Sequence, residues 1–137
     1  MTISEGIIKW LKTFKKEKIE TDALKSVTAS YGLFKLPQIN VKKDILGNEK
    51  RTEYYTFRVR LNSKLEPERV DNQKFMEELT EWISNQNAIR NYPVIKNGKC
   101  EEISVTTPFF VEKTENDTAI YQMTISIVYM KEANKGN

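Results

Sequence analysis

The stretch EYYTFRVRL, residues 53–61, decides the fold because its apolar and polar side chains alternate from Tyr55 onward. Tyr55, Phe57, Val59 and Leu61 fall on one face of an extended chain, and the residues between them fall on the other. Alternation with a period of two is typical of a strand that packs one face on a core. We therefore predict a β-strand with one buried face.

A second alternating run precedes this strand and predicts a β-hairpin. Ile39, Val41 and Ile45 alternate with mostly polar neighbours, and a turn signal at Gly47 separates this run from the next strand. We expect residues 39–61 to form a hairpin with one buried face.

The residues before the hairpin predict a helix and an irregular strand. Residues 3–16 place apolar side chains at helical spacings of three and four, and Thr2 or Ser4 is suited to cap the helix. We interpret this helix as packed on a sheet, the alternative being a basic helix on a membrane surface. Residues 21–37 suggest an irregular strand that ends at Pro37, because proline cannot donate to a sheet ladder.

A second helix is predicted after a polar loop. Residues 62–70 contain Pro67 and indicate the loop, and Asp71 or Asn72 then caps a helix that runs to about Asn91. The side chains expected to anchor this helix in the core are Phe75, Leu79 and Trp82.

Two further strands complete the sequence pattern. Residues 103–112 and 119–130 alternate, and the turn at residues 115–117 joins them. The first strand is expected to direct one face inward through Ile103, Val105, Thr107, Phe109 and Val111. Tyr121 and Ile125 are the expected core anchors of the second strand, and residues 131–137 form a polar tail that we expect to be frayed.

The order of these elements predicts the fold class. A helix, two or three strands, a second helix and two strands fit one α+β domain over residues 1–137. Strands grouped in hairpins favour an antiparallel sheet of four to five strands with two helices packed on one face.

Composition argues against several kinds of chemistry. The 137 residues include no His, so a Ser-His-Asp triad and imidazole metal ligands are excluded. Cys100 is the single cysteine, which excludes an intramolecular disulfide and indicates a reducing compartment. The neighbouring Lys99 would allow the pKa of the Cys100 thiol to be lowered. No glycine-rich phosphate loop is present, and no apolar run approaches the roughly 20 residues of a membrane span. We expect no enzyme, no metal site, no cofactor and no membrane partner.

Two arginines on the outer face of the hairpin are the main candidates for binding. Arg58 and Arg60 share that face with Tyr54, which suits single-stranded nucleic acid through charge and stacking. The same residues suit a protected sheet face or half of a subunit contact. A net charge of only +3 favours the second interpretation.

A colinear set of motifs adds a family resemblance. Residues 72–87 read N-x-x-F-x-E-x-L-x-x-W-I-x-x-Q-N, and residues 55–60 read Y-x-F-x-V-R. I-x-V-T-T follows at residues 103–107, and A-x-Y-Q-M-x-I-x-I-x-Y at residues 119–129. Over about residues 20–130 this set resembles the tail-terminator family, also labelled minor capsid proteins, of Gram-positive phages and prophages. Similar proteins occur in phage-tail-like bacteriocins.

The resemblance implies a structural protein rather than an enzyme. Tail terminators form homohexameric rings, or collars, that cap the tail tube, stop its polymerisation and offer a surface to the head connector or the sheath end. The resemblance also implies assembly in the bacterial cytoplasm, and a ring that lets DNA pass without sequence-specific binding. It leaves open whether the particle is a phage or a bacteriocin, and whether its tail contracts.

Ring closure requires a heterologous interface, in which one patch meets a different patch on the neighbour. We expect the hairpin of residues 39–61 and the loop of residues 62–70 to supply such patches by strand edges and loops. The residues expected at the subunit or tube interface are Lys42, Arg58, Arg60, Asn62, Lys64 and Glu66. The alternative function is a nucleic-acid-binding module that uses Tyr54, Arg58 and Arg60. An enzyme that uses carboxylates or Cys100 is the remaining alternative.

Overall fold

A computed structural model of the chain describes residues 2–15, 19–26 and 29–131. Its elements are α1 (Ile3–Leu11), β1 (Ile19–Thr21), β2 (Ser30–Lys43), β3 (Glu49–Asn62), α2 (Glu66–Ala88), β4 (Gly98–Glu115) and β5 (Thr118–Lys131). The five strands form one sheet in the order β1-β2-β3-β5-β4, in which β1 runs parallel to β2 and all other pairs are antiparallel. The predicted α+β class and mostly antiparallel sheet are confirmed. Except for Lys131, the predicted frayed tail lies outside the described residues.

The helices and alternate residues of the strands share a single hydrophobic core. In β3, Tyr55, Phe57 and Val59 are buried as predicted, and each faces a buried residue of β5 in the antiparallel register. Both helices contribute to the same cluster through Ile7, Trp10, Leu11, Met76, Leu79 and Ile83. We call the side of the sheet that carries these residues the core face, and the other side the open face.

Helix α1 is shorter than predicted but begins where the sequence indicated. Thr2 is the N-cap: its hydroxyl accepts a hydrogen bond from the backbone N–H of Glu5, and the Glu5 carboxylate accepts one from the backbone N–H of Thr2. The helix ends at Leu11 rather than Lys16, and a turn follows. Phe14 extends the apolar face because its ring contacts the rings of α2.

Strand β2 corrects two expectations for the hairpin. Pro37 does not end the strand, which continues to Lys43. Among the described residues, β1 pairs only with residues 31–33, so the outer edge of β2 near Pro37 has no neighbouring strand. Proline is tolerated at such an edge because no ladder hydrogen bond is lost there. A register shift between Lys35 and Ile39 also accommodates the proline. Two side chains predicted on the buried face, Ile39 and Val41, are 47% and 40% exposed, and Ile45 in the turn is fully exposed.

Helix α2 begins earlier than its sequence suggested and shortens the predicted loop of residues 62–70. Pro67 lies in the first turn, where its missing N–H breaks no helical hydrogen bond, and the Glu68 carboxylate accepts a hydrogen bond of 2.9 Å from the Leu65 N–H. Neither Asp71 nor Asn72 is the cap. Asn72 is buried within the helix and donates to the Asn62 carbonyl at 2.7 Å.

Strand β4 does not keep the alternation that its sequence predicted. Register shifts interrupt its pairing with β5 at four places, so Thr107 pairs with Thr124 on the open face rather than joining Ile103 on the core face. Val111 lies opposite Tyr121 but remains 49% exposed. Bulges of this kind are frequent in edge strands, where they disturb pairing with other chains.

The five predicted core anchors all lie in or against the core. Leu79, Tyr121 and Ile125 are buried, whereas Phe75 and Trp82 are partly buried and pack against the cluster. The ring of Trp82 lies 4.7 Å from that of Trp10, centroid to centroid. This contact joins the two helices.

Candidate assembly surfaces

The structure does not bring the predicted interface residues into one patch. Lys42 is exposed near the tip of the hairpin, where it pairs with Lys50, while Asn62 pairs with Thr118 at the opposite end of β3. Twelve residues of strand separate Lys50 from Asn62, or roughly 40 Å at the rise of an extended chain. Lys64 lies just before α2 and Glu66 is its first residue; both are near the Asn62 end, and both are exposed. The set therefore divides between two ends of the sheet.

Arg58 lies on the open face as predicted, and it is paired with a carboxylate. Its guanidinium forms an ion pair with Glu112 of β4, across the intervening strand β5. The guanidinium carbon lies 5.4 Å from the ring centroid of Phe34, a cation–π contact. One quarter of the side chain is exposed. The charge of Arg58 is thus largely matched within the chain.

Arg60 is held in the same way. Its Nε donates a hydrogen bond of 3.1 Å to the Lys25 carbonyl, and its Nη1 lies 3.6 Å from the Glu115 carboxylate. Only 13% of the side chain is exposed. Phosphate binding by Arg58 and Arg60 would require these contacts to break, since each guanidinium already has a carboxylate partner.

A buried carboxylate on the core face joins β3 and β5 at the border of the region that the two helices cover. Glu53 is 2% exposed and accepts hydrogen bonds from the hydroxyls of Tyr55, at 3.0 Å, and Tyr129. Lys35 reaches it from solvent, with Nζ 3.3 Å from Oε1. Burial would raise the pKa of Glu53, but the bonds from Tyr129 and Tyr55 and the charge of Lys35 outweigh it and lower the pKa. Burial raises the pKa of Tyr129 to about 12, with a further contribution from its bond to Glu53. This cluster cross-links β3 and β5.

The single thiol lies in the core rather than on the surface. Cys100 is buried in the core cluster, and burial raises its pKa to about 11, which corrects the expectation of a lowered value beside Lys99. Within the described residues, no three or more Cys, Asp and Glu side chains are grouped so as to hold a metal ion. Neither described helix has the length and apolar character needed to cross a membrane.

The hairpin end, residues 36–48, exposes apolar side chains that the body does not cover. Ile45 is fully exposed and Leu46 is 76% exposed, at the tip of the turn. Asp44 fixes the shape of this turn, because its Oδ1 accepts hydrogen bonds of 2.9 Å from the backbone N–H groups of Leu46 and Asn48. The tip is therefore an apolar projection on an ordered turn.

The opposite margin of the sheet carries a groove between α2 and β4. The α2–β4 groove is open to solvent and has a volume of about 870 Å³; we define it by Arg69, Gln73, Met76, Glu77, Thr80, Glu81 and Ser84 of α2, residues 108–111 of β4 and Tyr121 of β5. Phe110 is 43% exposed and Val111 49% exposed. The outer edge of β4 pairs with no other strand in the described part of the chain. The groove is apolar at its β4 wall, and its helical wall carries Glu77 and Glu81 together with Arg69 at one end.

The sequence analysis named the hairpin of residues 39–61 and Lys42 as interface, but it missed the exposed Ile45-Leu46 tip and the α2–β4 groove, although each had a signal. An Ile45-Leu46 pair inside a turn bounded by Asp44 and Gly47 is unusual, because turn residues are normally polar. Pro108 interrupts the alternation of β4 immediately before two phenylalanines, which predicts an irregular edge. Comparison with protein-family models and with curated proteins finds no match to this chain.

Proposed function

We propose that this chain is a ring-forming structural protein that ends the tail tube of a phage or phage-tail-like particle. The observation that carries the proposal is the presence of two unlike exposed surfaces at opposite margins of one sheet. The hairpin end lies at the β2 margin, and the α2–β4 groove lies at the β4 margin. Two strands, β3 and β5, separate them.

Unlike surfaces at opposite margins favour head-to-tail assembly. A patch that meets a different patch on its neighbour generates a closed ring when the rotation between copies closes, whereas identical patches generate a two-fold dimer. Exposed apolar side chains at both margins, Ile45 and Leu46 on one side and Phe110 and Val111 on the other, support contacts between proteins at these places. A homohexamer that meets the tube on one side and the head connector or sheath on the other is the assembly we propose.

The paired arginines of the open face also support a structural role. The two strongest cation candidates for nucleic-acid binding, Arg58 and Arg60, are each matched by a carboxylate, Glu112 and Glu115 respectively. A face neutralised in this way suits a ring through which DNA passes without sequence-specific contacts, because phosphate affinity depends on unpaired basic groups.

The proposal is tested by tube polymerisation. The purified protein is added to polymerising tube subunits of the same particle, and tube lengths are measured by electron microscopy. We expect the mean length to fall with the ratio of this protein to tube subunit, and a ring of six 16.0 kDa chains, about 96 kDa, at the tube ends. Unchanged tube lengths at an excess of the protein contradict the proposal. Salt-sensitive binding to an oligonucleotide in the same preparation would favour the nucleic-acid alternative.

A variant that preserves the fold distinguishes a loss of tube binding from a loss of stability. Reversing Arg58 and Arg60 to Glu leaves four carboxylates close together, so a loss of capping by that variant has two explanations. Exchanging the partners, Arg58→Glu with Glu112→Arg, retains the ion pair and moves its charges. If the open face contacts the tube through Arg58, the exchanged variant folds normally and no longer shortens tubes. Retained shortening would remove Arg58 from the tube contact.

A further inference from the structure

We propose that the hairpin end of one copy docks in the α2–β4 groove of a second copy of this chain. This inference rests on the proposed ring function, because it assigns the head-to-tail contact to two particular surfaces. It also predicts that neither surface is sufficient alone, since each copy gives its hairpin end to one neighbour and its groove to the other.

The hairpin end is built as a preformed apolar projection. Ile45 is fully exposed, and Leu46 exposes about three quarters of its surface. Besides the two backbone bonds to its Oδ1, Asp44 accepts a bond of 3.1 Å from the Asn48 side-chain amide through Oδ2. The backbone N–H of Asp44 donates to the Asn48 carbonyl at 2.9 Å. A turn that is already ordered loses little conformational entropy on binding, which favours association.

The groove has the chemistry and the length to receive such a projection. On its β4 side the groove is lined by Phe109 and Val111, which share the core face with Tyr121, and Met76 of α2 also lines it. Along α2 the lining runs from Arg69 to Ser84, fifteen residues or about 22 Å at the rise of a helix. Residues 36–43 of β2 extend over roughly 24–27 Å, a comparable length.

Charge complementarity identifies a second copy as the occupant. The helical wall of the groove presents Glu77 and Glu81, and neither has an ion-pair partner among the described residues. Arg69 lines one end of the same wall, and its guanidinium donates to the backbone carbonyls of Ser63 and Lys64. The hairpin end presents Lys42 and Lys43 beside Asp44; Lys43 lies 3.7 Å from Glu49, while Lys42 has no such partner in the described part of the chain. Two lysines against one aspartate on the hairpin end, and two glutamates against one arginine in the groove, give the two surfaces opposite net charges.

The hairpin end of one copy does not reach the groove of the same copy. In the sheet, β3 and β5 lie between the strand that carries the hairpin end and the strand that forms the groove wall. The turn of residues 44–48 is closed by its own hydrogen bonds, so it does not reach across these strands to the β4 margin. The contact is therefore between copies and heterologous.

The experiment uses two complementary variants of the full chain. Ile45→Asp with Leu46→Asp disables the hairpin end, and Glu77→Lys with Glu81→Lys and Val111→Asp disables the groove. All these side chains are exposed, so both variants are expected to fold. Ile89→Asp with Val94→Asp is the matched control, because it replaces two exposed apolar residues outside both surfaces.

Light scattering across a concentration series reads out the assembly. We expect the wild type and the control to associate, and each disabled variant to remain at 16.0 kDa with at least about a thirtyfold weaker self-association. An equimolar mixture of the two variants is expected to form a dimer of about 32 kDa, twice the 16.0 kDa chain, since one intact hairpin end meets one intact groove.

Three results overturn the inference: a wild type that is monomeric at every concentration, disabled variants that assemble normally, or a mixture that stays at 16.0 kDa. Circular dichroism spectra of the two variants establish that they are folded. If the variants still shorten tubes in the polymerisation assay, the inference fails while the proposed function stands. If the mixture dimerises but the wild type leaves tube length unchanged, the self-association stands and the tail function fails.

Discussion

The two halves of strand β2 both place apolar side chains on the core face, but in opposite environments. In residues 30–35, Tyr31 and Leu33 are 3% and 0% exposed, whereas Ile39 and Val41 further along the same strand are 47% and 40% exposed. All four pair with β3, and all four lie on its core face. The difference is the helical cover: Tyr31 and Leu33 belong to the core cluster that both helices join, and the ring of Phe75 in α2 contacts that of Tyr31, whereas Ile39 and Val41 lie outside the cluster. Alternation tells which side chains share a face, and only packing tells whether that face is covered.

The covered half predicts the largest effect on stability. Leu33→Ala removes a side chain with no exposed surface and leaves a cavity beneath the helices. We expect a loss of about 2–5 kcal/mol in the free energy of unfolding, measured by urea denaturation. A loss below 1 kcal/mol would show that the helices do not seal this half of the strand.

Glu53 lies opposite Ile39, at the border between the halves, and predicts an intermediate effect. Glu53→Gln weakens the bonds from the two tyrosine hydroxyls and removes the ion pair with Lys35, at an expected cost of about 1–3 kcal/mol near pH 7. Because the pKa of Glu53 is lower in the folded state than its usual 4.5, its charge stabilises the fold above that value. The contribution is lost as the pH falls through the folded-state pKa.

Measuring unfolding at two pH values tests whether the charge of Glu53 stabilises the fold. The difference in unfolding free energy between the wild type and Glu53→Gln is expected to shrink from about pH 7 to about pH 3. Lys35→Met is the companion variant, because it removes only the partly exposed partner of Glu53. A difference that grows on acidification would contradict the paired arrangement of the buried carboxylate.

The open face predicts a small coupling energy. Arg58 and Glu112 are about one quarter and one third exposed, so solvent screens their ion pair. A double-mutant cycle with Arg58→Gln and Glu112→Gln is expected to give a coupling of about 0.2–1 kcal/mol that decreases at high salt. Zero coupling at low salt would mean that the guanidinium is free for other partners, which would strengthen the nucleic-acid alternative.

The uncovered half of β2 predicts the smallest effect on an isolated copy. Val41→Ala truncates a side chain that is 40% exposed and lies outside the helical cover. We expect a change within about 0.5 kcal/mol at concentrations where the protein is monomeric. A loss comparable to that of Leu33→Ala would show that this half is buried as well, and would weaken its assignment to an assembly surface.

Much of the fold could be predicted because strong local patterns coincide with burial. β3 and β5 lie in the middle of the sheet, so their alternating residues meet a core over most of their length, and Tyr55 and Ile125 are buried as expected. The capping of α1 by Thr2 depends only on nearby residues and was also predictable. The buried pairing of Glu53 with Tyr129 joins positions 76 residues apart, and the alternation of β3 gave no indication of it.

The candidate surfaces depended on information that a local pattern does not contain. Arg58 and Arg60 were placed on the correct face, but their partners Glu112 and Glu115 come from a strand two positions away in the sheet. The exposure of Ile39 follows from its position outside the core cluster that the helices cover, which the alternation of the strand does not show. The early start of α2 was missed because Pro67 was interpreted as a loop residue rather than as a residue of a first helical turn.

The register shifts of β4 bear on the geometry of an assembly. If a neighbour sits against this margin, the local twist at the bulges sets the angle through which each copy is turned from the last. Six copies close on themselves only when that angle is about 60° and the displacement along the axis is zero. Deleting one bulge residue would change both quantities together, so a shortened β4 is expected to give open helical filaments in place of closed particles.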